Sequence, residues 1–313
     1  MEAADLSMQL GIGTEDALFL QQVLSEVESV TAVPDLTATP TDSEVTADIT
    51  CQDTTDISAV VEEANSDEIL QKIPQEDNES TSRFSSAIWY DKIQQQTIIL
   101  AGLGGIGSWV SILLSRMHPV SMFIYDDDVV EQANISGQLY SISDVGSRKT
   151  AAALNNIRNF SGYGDVFAIS ERFDSTCQAA NIMICGFDNM EARKTFFNRW
   201  VMHVKSFTDV ADRGKCLFID GRLAAESFQV FCIKGNDSYS IEKYEDNWLF
   251  DDGEAEETIC SYKQTSFCAN MIASVMVNCF VNFIANQCNP LIPRDVPFFT
   301  EYDASMMFFK TES

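Results

Sequence analysis

The alternation of apolar and polar positions divides this 313-residue chain near residue 80. Before that point apolar residues are sparse among Thr, Ser, Asp and Glu, except between Ala17 and Val27, where they recur at helical spacing. From residue 81 onward short apolar runs alternate with helix-length segments, as in an α/β domain. We therefore predict an acidic, disordered extension over 1–80 and one folded domain over 81–313. Two interpretations of the patch before Val27 stay open: a transient helix, or a docking helix for a partner.

Short apolar runs in the second part predict the strands of a sheet, and the longer segments between them predict helices. The runs at 216–220 and 226–233 are separated by only a few residues around Gly221, so a hairpin is expected there and the sheet becomes mixed. Two runs near the C-terminus predict closing strands or one hairpin. The predicted strands are 97–101, 121–125, 166–170, 181–186, 216–220, 226–233, 298–303 and 306–310, and the predicted helices are 108–117, 149–158, 190–207 and 265–286.

The segment 265–286 is the most apolar part of the chain and is long enough to raise the question of a membrane span. A polar residue nevertheless recurs in it every four positions. Such a stripe is typical of a helix buried in a soluble protein or at a subunit contact, so we expect no membrane partner. The stripe consists of Asn270, Ser274, Asn278, Asn282 and Asn286.

A glycine-rich turn joins the first predicted strand to the first helix. Gly102 permits the tight turn, Gly104 lets backbone N–H groups approach a phosphate or ribose, and Gly107 lets the helix sit against the strand. The second strand ends on Asp126, near the spacing expected for a carboxylate that reaches a ribose hydroxyl. Taken alone, this pattern predicts a generic dinucleotide or ATP site.

Further motifs follow the turn in a fixed order. They are Asp126-Asp127-Asp128, Asn134-Ile-Ser-Gly-Gln138, Asp144-Val-Gly-Ser-Arg-Lys149 and Cys185-Gly-Phe-Asp188-Asn189. In order and spacing these motifs resemble the ThiF family from roughly residue 83 to the C-terminus, and several motifs in order are far more specific than one glycine loop. The resemblance implies a Rossmann-like α/β fold: a mostly parallel sheet with helices on both faces and an added antiparallel portion.

The resemblance also implies an activity. The family contains ubiquitin-activating-like adenylyltransferases, which use ATP and Mg²⁺ to activate the C-terminal carboxylate of a ubiquitin-like or sulfur-carrier protein, and a homodimer is expected. Asp126 would bind the ribose and Asp188 the magnesium ion, although Asp188 could also cap the following helix. The other residues implied in nucleotide binding are Gly102, Gly104, Gly105, Gly107, Asp128, Asn134, Gln138 and Lys149.

Two departures from the family pattern affect the expected activity. The family carries arginines that reach the ATP phosphates where this chain has Ser86 and Gly137. The charge that offsets the triphosphate must then come from Lys149, helped by other cations. A degenerate, non-catalytic nucleotide- or protein-binding module is therefore the alternative. An NAD-dependent oxidoreductase is a third class, but it leaves Asn134, Lys149 and Asp188 without roles.

The polar and acidic stretch 235–258 predicts a mobile functional loop, because it is too long for an ordinary connection. In the family a crossover loop at this place covers the carrier tail. Cys260, next to Lys263 and before a helix, is the candidate nucleophile for a thioester or sulfur-transfer step. The alternative is a packed, unreactive thiol. Cys268 lies inside the following helix and is a weaker candidate.

Charge and cysteine content limit the expected binding partners and the expected cellular compartment. The formal net charge is −27, and residues 1–80 hold 19 of the 47 acidic side chains but only Lys72 of the basic ones. Such a segment repels nucleic acid and anionic membranes, so we expect neither as a partner. Nine cysteines without a Cys-x-x-Cys pair, and two histidines, argue against a tetrahedral zinc site. Free thiols and the lack of a secretory signal favour a cytoplasmic protein.

Overall fold

The computed structural model describes residues 79–250 and 264–313. Within them one mixed sheet of eight strands has the order β3-β2-β1-β4-β5-β6-β7-β8. The five strands from β3 to β5 pair in parallel, and the remaining pairs are antiparallel. The predicted fold class is therefore confirmed. The strands are β1 Thr97–Ala101, β2 Ser121–Tyr125, β3 Val166–Ile169, β4 Ile182–Cys185, β5 Leu217–Ala224, β6 Ser227–Lys234, β7 Phe299–Asp303 and β8 Phe308–Glu312.

Helices cover both faces of this sheet. Along β1, Ile98 and Leu100 pack in one apolar cluster with residues of α2, α3 and α7, whereas Ile99 and Ala101 pack in a second cluster with residues of α4 and α6. Burial on both faces explains why the parallel strands are continuously apolar. The helices are α1 Tyr90–Ile93, α2 Gly107–Ser115, α3 Lys149–Ser161, α4 Met190–Ser206, α5 Val210–Arg213, α6 Ser238–Trp248 and α7 Ser266–Asn286, with 3-10 turns at Glu79–Thr81, Gln132–Ser136 and Ile142–Asp144.

The prediction of one long loop over 235–258 is wrong in part, because α6 occupies its first half. Asp237 begins the helix by accepting a hydrogen bond from the Ser240 N–H at 3.1 Å. Tyr244 is fully buried and Trp248 packs on Phe231, at ring centroids 4.7 Å apart. The many acidic residues of the stretch concealed this apolar face in the sequence. The rest of the predicted loop, residues 251–258, lies outside the described residues, as do residues 1–78 of the predicted extension.

Helix α7 confirms the helix predicted over 265–286. Among the described helices it is the one that is long and apolar enough to cross a membrane. Its Ile272, Met276 and Phe280 are fully buried in the core that α7 shares with the sheet. On the polar stripe, the side-chain amides of Asn282 and Asn286 donate to the carbonyls of residues 295 and 294, at 2.9 and 2.8 Å. The stripe therefore ties the helix to the chain that leads to β7.

Candidate functional site

The candidate site lies at the carboxyl ends of β1, β2 and β4. The chain passes from β1 to its neighbour β2 on one side and later returns to β4 on the other side, so β1 and β4 flank the point where strand order reverses. Ligands of open α/β sheets bind in the crevice at such a point. All of the predicted site residues before residue 189 lie in loops or helix starts that follow these strands.

The turn after β1 brings two loops into backbone contact. Gly102 has φ +85°, a conformation that favours glycine, and a Cβ added there would lie 2.7 Å from the carbonyl carbon of Gly186. A Cβ added at Gly107 would overlap the carbonyl oxygen of Gly102. The Gly186 N–H also donates to the Ala101 carbonyl at 2.8 Å. The fold requires glycine here because the loops that follow β1 and β4 contact each other through main-chain atoms.

The backbone N–H groups of this turn are available to a ligand. Those of Gly104, Gly105 and Ile106 donate no hydrogen bond within residues 79–250 and 264–313. They lie directly before α2, whose N-terminal end carries partial positive charge. Unpaired N–H groups at the start of a helix bind phosphate and other anions.

Asp126 is anchored beside the same turn. Its carboxylate accepts hydrogen bonds from the N–H groups of Leu103 at 2.7 Å and Asp128 at 2.9 Å. Burial raises the pKa of Asp126 above its ordinary value, although the charge of Lys149 and these two N–H donors act in the opposite direction. The structure thus brings Asp126 to the glycine turn, where its placement suits a ribose hydroxyl.

Lys149, the first residue of α3, is buried and pairs with carboxylates. Its Nζ lies 2.7 Å from Asp128 Oδ2 and 4.0 Å from Asp126 Oδ1. Its own N–H donates to the Asp128 carbonyl at 3.0 Å, so main chain and side chain both hold the pair together. Lys149 can offset charge on a ligand here only by sharing its ammonium group with these aspartates.

The two amides predicted to contact the nucleotide differ in their surroundings. Asn134 Oδ1 accepts the Glu131 N–H at 2.9 Å in a capping box of the 3-10 turn. Gln138 Oε1, by contrast, is buried and has no hydrogen-bond partner in the described part of the chain. The other amide atom of Gln138, Nε2, lies 4.0 Å from where a Cβ of Gly104 would stand. The structure therefore brings Gln138 to the glycine turn with an unused acceptor.

Gln264 belongs to this site, and the sequence analysis missed it. A Cβ added at Gly105 would overlap Gln264 Oε1, and one added at Gly137 would lie 2.8 Å from Gln264 Nε2. Neither glycine has positive φ, so the backbone does not require glycine there. The only hint in the sequence was that positions 105 and 137 are glycine although no tight turn there requires this residue.

Asp188 follows β4 and is exposed at the carboxyl edge. The alternative that it caps α4 is wrong: Asn189 is the cap, and its Oδ1 accepts the Ala192 N–H at 2.9 Å. Among residues 79–250 and 264–313, the Asp188 carboxylate accepts a hydrogen bond from the Asn189 side-chain amide at 3.4 Å. An exposed carboxylate suits Mg²⁺, which binds one or two carboxylates together with phosphates. The Asp126 and Asp128 carboxylates, which follow β2, are already engaged by Lys149.

A buried charge cluster lies beneath the loop that carries Asp188, and sequence reasoning missed it too. Asp220, at the end of the parallel part of β5, is fully buried between two arginines. It pairs with Arg193, and its Oδ2 accepts from Arg222 Nε at 2.9 Å and from the Tyr244 hydroxyl at 2.8 Å. Arg193 also donates to the carbonyls of Phe187 and Gly221. The cluster therefore braces the exits of β4 and β5.

Of the two candidate nucleophiles, Cys260 and Cys268, the structure describes only Cys268. Cys260 lies outside the described residues, so its role stays a prediction. Cys268 is buried in α7, and burial raises its pKa, which disfavours the reactive thiolate. Burial likewise raises the pKa of Cys216 to about 11.

Comparisons with known proteins agree with this architecture. The profile of the ThiF family matches residues 70–312. The ubiquitin-like modifier-activating enzyme 5 of Caenorhabditis elegans is 29% identical over 110 residues, which are 35% of this chain and 23% of that protein. The enzyme of the same name from Bombyx mori is 24% identical over 147 residues, 42% of this chain and 37% of that protein. The matches thus span well under half the length of these curated relatives.

Solved structures show the same fold. E. coli MccB with AMPCPP and MccA has a TM-score of 0.57 at 18% identity, covering 82% of each chain. E. coli MccB with ATP has a TM-score of 0.53 at 16% identity, covering 77% of this chain and 73% of that one. PaaA has a TM-score of 0.55 at 14% identity, covering 96% and 83%. At these identities the likeness establishes the fold.

Proposed function

The chain belongs to the ThiF family, and from that premise we propose that it is an ATP-dependent adenylyltransferase acting on the C-terminal carboxylate of a ubiquitin-like or sulfur-carrier protein. The observation that carries the proposal is the set of N–H groups before α2 that are unpaired among the described residues, with Asp126 and Gln138 at the same turn. This arrangement offers donors to phosphate and an acceptor to ribose. A dinucleotide would use the same features, but it gives no role to Lys149 or to the exposed Asp188.

In the proposed reaction, a carboxylate oxygen of the carrier attacks the α-phosphorus of ATP. The bond from that phosphorus to the oxygen bridging to the β-phosphate breaks, pyrophosphate leaves, and an acyl adenylate forms. Gly102, Gly104, Gly105 and Gly107 shape the cradle, and Asp126 orients the ribose. The protein contributes positioning and charge stabilisation.

Magnesium is proposed at Asp188. When bound, the ion would offset the negative charge that the phosphates share. The residues that assist on the protein side are Lys149 and Gln138, with Asp128 and Asn134 holding Lys149 and the 3-10 turn in place. Magnesium, a homodimeric assembly, a cytoplasmic location and the absence of nucleic-acid or membrane partners remain part of the proposal.

A later transfer through Cys260 is a further step of the proposed function. A Cys260 thiolate would attack the acyl carbon of the adenylate, the bond from that carbon to the AMP oxygen would break, and a thioester would form. This step needs no additional reactant.

One observation favours a second candidate, a nucleotide-binding module without turnover. Lys149, the buried cation predicted to face the phosphates, is already paired with Asp128 at 2.7 Å. Ser86 and Gly137 also stand where the family carries arginine. Little unpaired positive charge is then left to stabilise the transition state at the triphosphate.

Nucleotide choice and pyrophosphate exchange distinguish these functions. Calorimetry with ATP and with NAD, each with Mg²⁺, tests the site, and ATP–pyrophosphate exchange with candidate carriers ending in Gly-Gly tests turnover. ATP binding with carrier-dependent exchange supports adenylation, ATP binding without exchange supports the binding module, and NAD preference would refute both.

Asp188→Ala tests the proposed metal ligand. We expect weaker Mg²⁺-dependent ATP binding and slower exchange, with an unchanged melting temperature, because the Asp188 carboxylate is exposed and does not cap α4. The matched control is Asp165→Ala, since Asp165 is an exposed aspartate before β3, at the opposite edge of the sheet. Equal ATP binding and exchange in both variants would remove Asp188 from the site.

A further inference from the structure

Three sets of polar groups without partners converge at the glycine turn. The N–H groups of Gly104 and Gly105 are unpaired among the described residues, and Gln138 Oε1 is buried without a partner. The Gln264 carboxamide likewise makes no hydrogen bond with a described residue. Leaving a buried polar atom such as Gln138 Oε1 unpaired costs free energy. With half-buried unpaired groups beside it, this atom indicates a ligand that completes the hydrogen bonds.

The space for Gln264 is provided by two glycines. At Gly137, the three atoms nearest an added Cβ all belong to Gln264, at 2.8 to 3.1 Å, and at Gly105 the nearest atoms are again those of Gln264. Gly137 has φ −128°, which any residue can adopt. The missing side chains at 105 and 137 are therefore explained by Gln264 and by no demand of the backbone.

The position of Gln264 places it at the phosphate end of the proposed nucleotide. Its side chain lies against Gly105, one residue before the cap of α2, whereas Asp126, the proposed ribose ligand, accepts from the N–H of Leu103, which is nearer to β1 in the sequence. A bridge between Gln264 and Ala225, next to the β5–β6 hairpin, fixes its main chain. The side chain is thus held at the turn from a distant part of the sequence.

We infer that Gln264 is a nucleotide-binding residue: from the space that Gly105 and Gly137 leave for its side chain, its Nε2 amide group donates to a phosphate oxygen of ATP bound on the glycine turn. The inference rests on the proposed function for the identity of the nucleotide. It adds a ligand from the chain that follows residue 263, and it makes recognition depend on phosphate rather than on the nucleoside.

The test measures binding of Mg·ATP and of adenosine to the full chain. Gln264→Ala should weaken ATP binding about tenfold or more, since a hydrogen bond to a charged group is lost, and should leave adenosine binding within about twofold. Gln264→Glu should weaken ATP binding further, because a carboxylate would face phosphate. Gln229→Ala is the matched control: Gln229 is a half-buried glutamine on β6 that bonds Glu301, and it should bind ATP as the wild type does.

A double-mutant cycle tests the geometry independently. Gly137→Ala should displace Gln264 and lose ATP affinity by a similar factor, but it should add little loss in the Gln264→Ala background. Gly164→Ala is the control, because a Cβ at Gly164 meets no atom within 4 Å. Melting curves of all variants establish that they fold.

The outcomes separate this inference from the function it rests on. Wild-type chain that binds no ATP would overturn both. Wild-type ATP binding without pyrophosphate exchange would refute adenylation while leaving the Gln264 inference supported if the variants behave as expected. Gln264→Ala with unchanged or tighter ATP binding, or equal losses for ATP and adenosine, would overturn the inference alone.

Discussion

Replacing Asp220 by asparagine should destabilise the fold more than any other exchange of one carboxylate for an amide among the described aspartates. Asp220 is fully buried, and it is the acidic partner of both Arg193 and Arg222. Its loss leaves two guanidinium groups in the interior without a counter-charge. Removing one partner of a buried ion pair costs about 3–5 kcal/mol, and the shared geometry places Asp220→Asn near the upper end.

The expected loss of unfolding free energy corresponds to a lower melting temperature. For a domain of this size each kcal/mol lowers the melting temperature by about 2–4 °C, so Asp220→Asn should melt roughly 6–20 °C below the wild type. Circular dichroism melts and urea midpoints measure it. Asp212→Asn is the matched control, because Asp212 pairs with Lys215 at 2.8 Å on the surface and should change stability little.

A second variant tests whether Asp220 stabilises the fold by neutralising both arginines. Arg222→Met leaves Asp220 paired with Arg193 alone, so it should cost less than Asp220→Asn even though it removes a larger polar side chain. If Asp220→Asn melted within a degree or two of Asp212→Asn, or above Arg222→Met, the account of a buried and shared counter-charge would be wrong.

Two further predictions concern Cys260 and Asp126. With Mg·ATP and a carrier, mass spectrometry should find a hydroxylamine-sensitive adduct that Cys260→Ser abolishes and Cys268→Ser retains, because burial raises the pKa of Cys268; an adduct lost only in Cys268→Ser would move the nucleophile into α7. Burial also raises the folded-state pKa of Asp126, so this group's contribution to stability falls as pH rises through that pKa. The free energy of unfolding of Asp126→Asn should therefore increase relative to that of the wild type as pH rises above about 4, the ordinary carboxyl pKa. Urea midpoints showing a pH-independent difference would contradict this.

The parallel core was predictable because its strands are buried on both faces. Runs of apolar residues then mark the strands directly, and the predicted bounds of β1 and β2 equal the observed ones. The glycine turn was predictable because its requirements are local: Gly102 has positive φ, and Gly107 lies against the Gly102 carbonyl oxygen. Local signals of this kind survive without knowledge of the tertiary structure.

The missed features depend on residues that are distant in the sequence. Helix α6 carries its apolar face on few residues within an acidic stretch, so composition outweighed periodicity. Asp220, Arg193 and Tyr244 lie on three different elements and meet only when α4 and α6 pack on the sheet. Gln264 reaches Gly105 only after the chain has completed the β5–β6 hairpin. Contacts between residues that are distant in the sequence leave no local sequence pattern.

The glycines around the site fall into two classes of mutational tolerance. Gly102 and Gly107 face main-chain atoms, which cannot move aside, so no substitution elsewhere can make room for a side chain at either position. At Gly105 and Gly137 the atoms nearest an added Cβ belong to the Gln264 side chain, so a smaller residue at 264 would remove the closest obstacle at both positions. Among homologous sequences, positions 105, 137 and 264 should therefore change together, while 102 and 107 stay glycine. Homologues in which positions 105, 137 and 264 have all changed would have altered the ligand contacts of the site while keeping the fold.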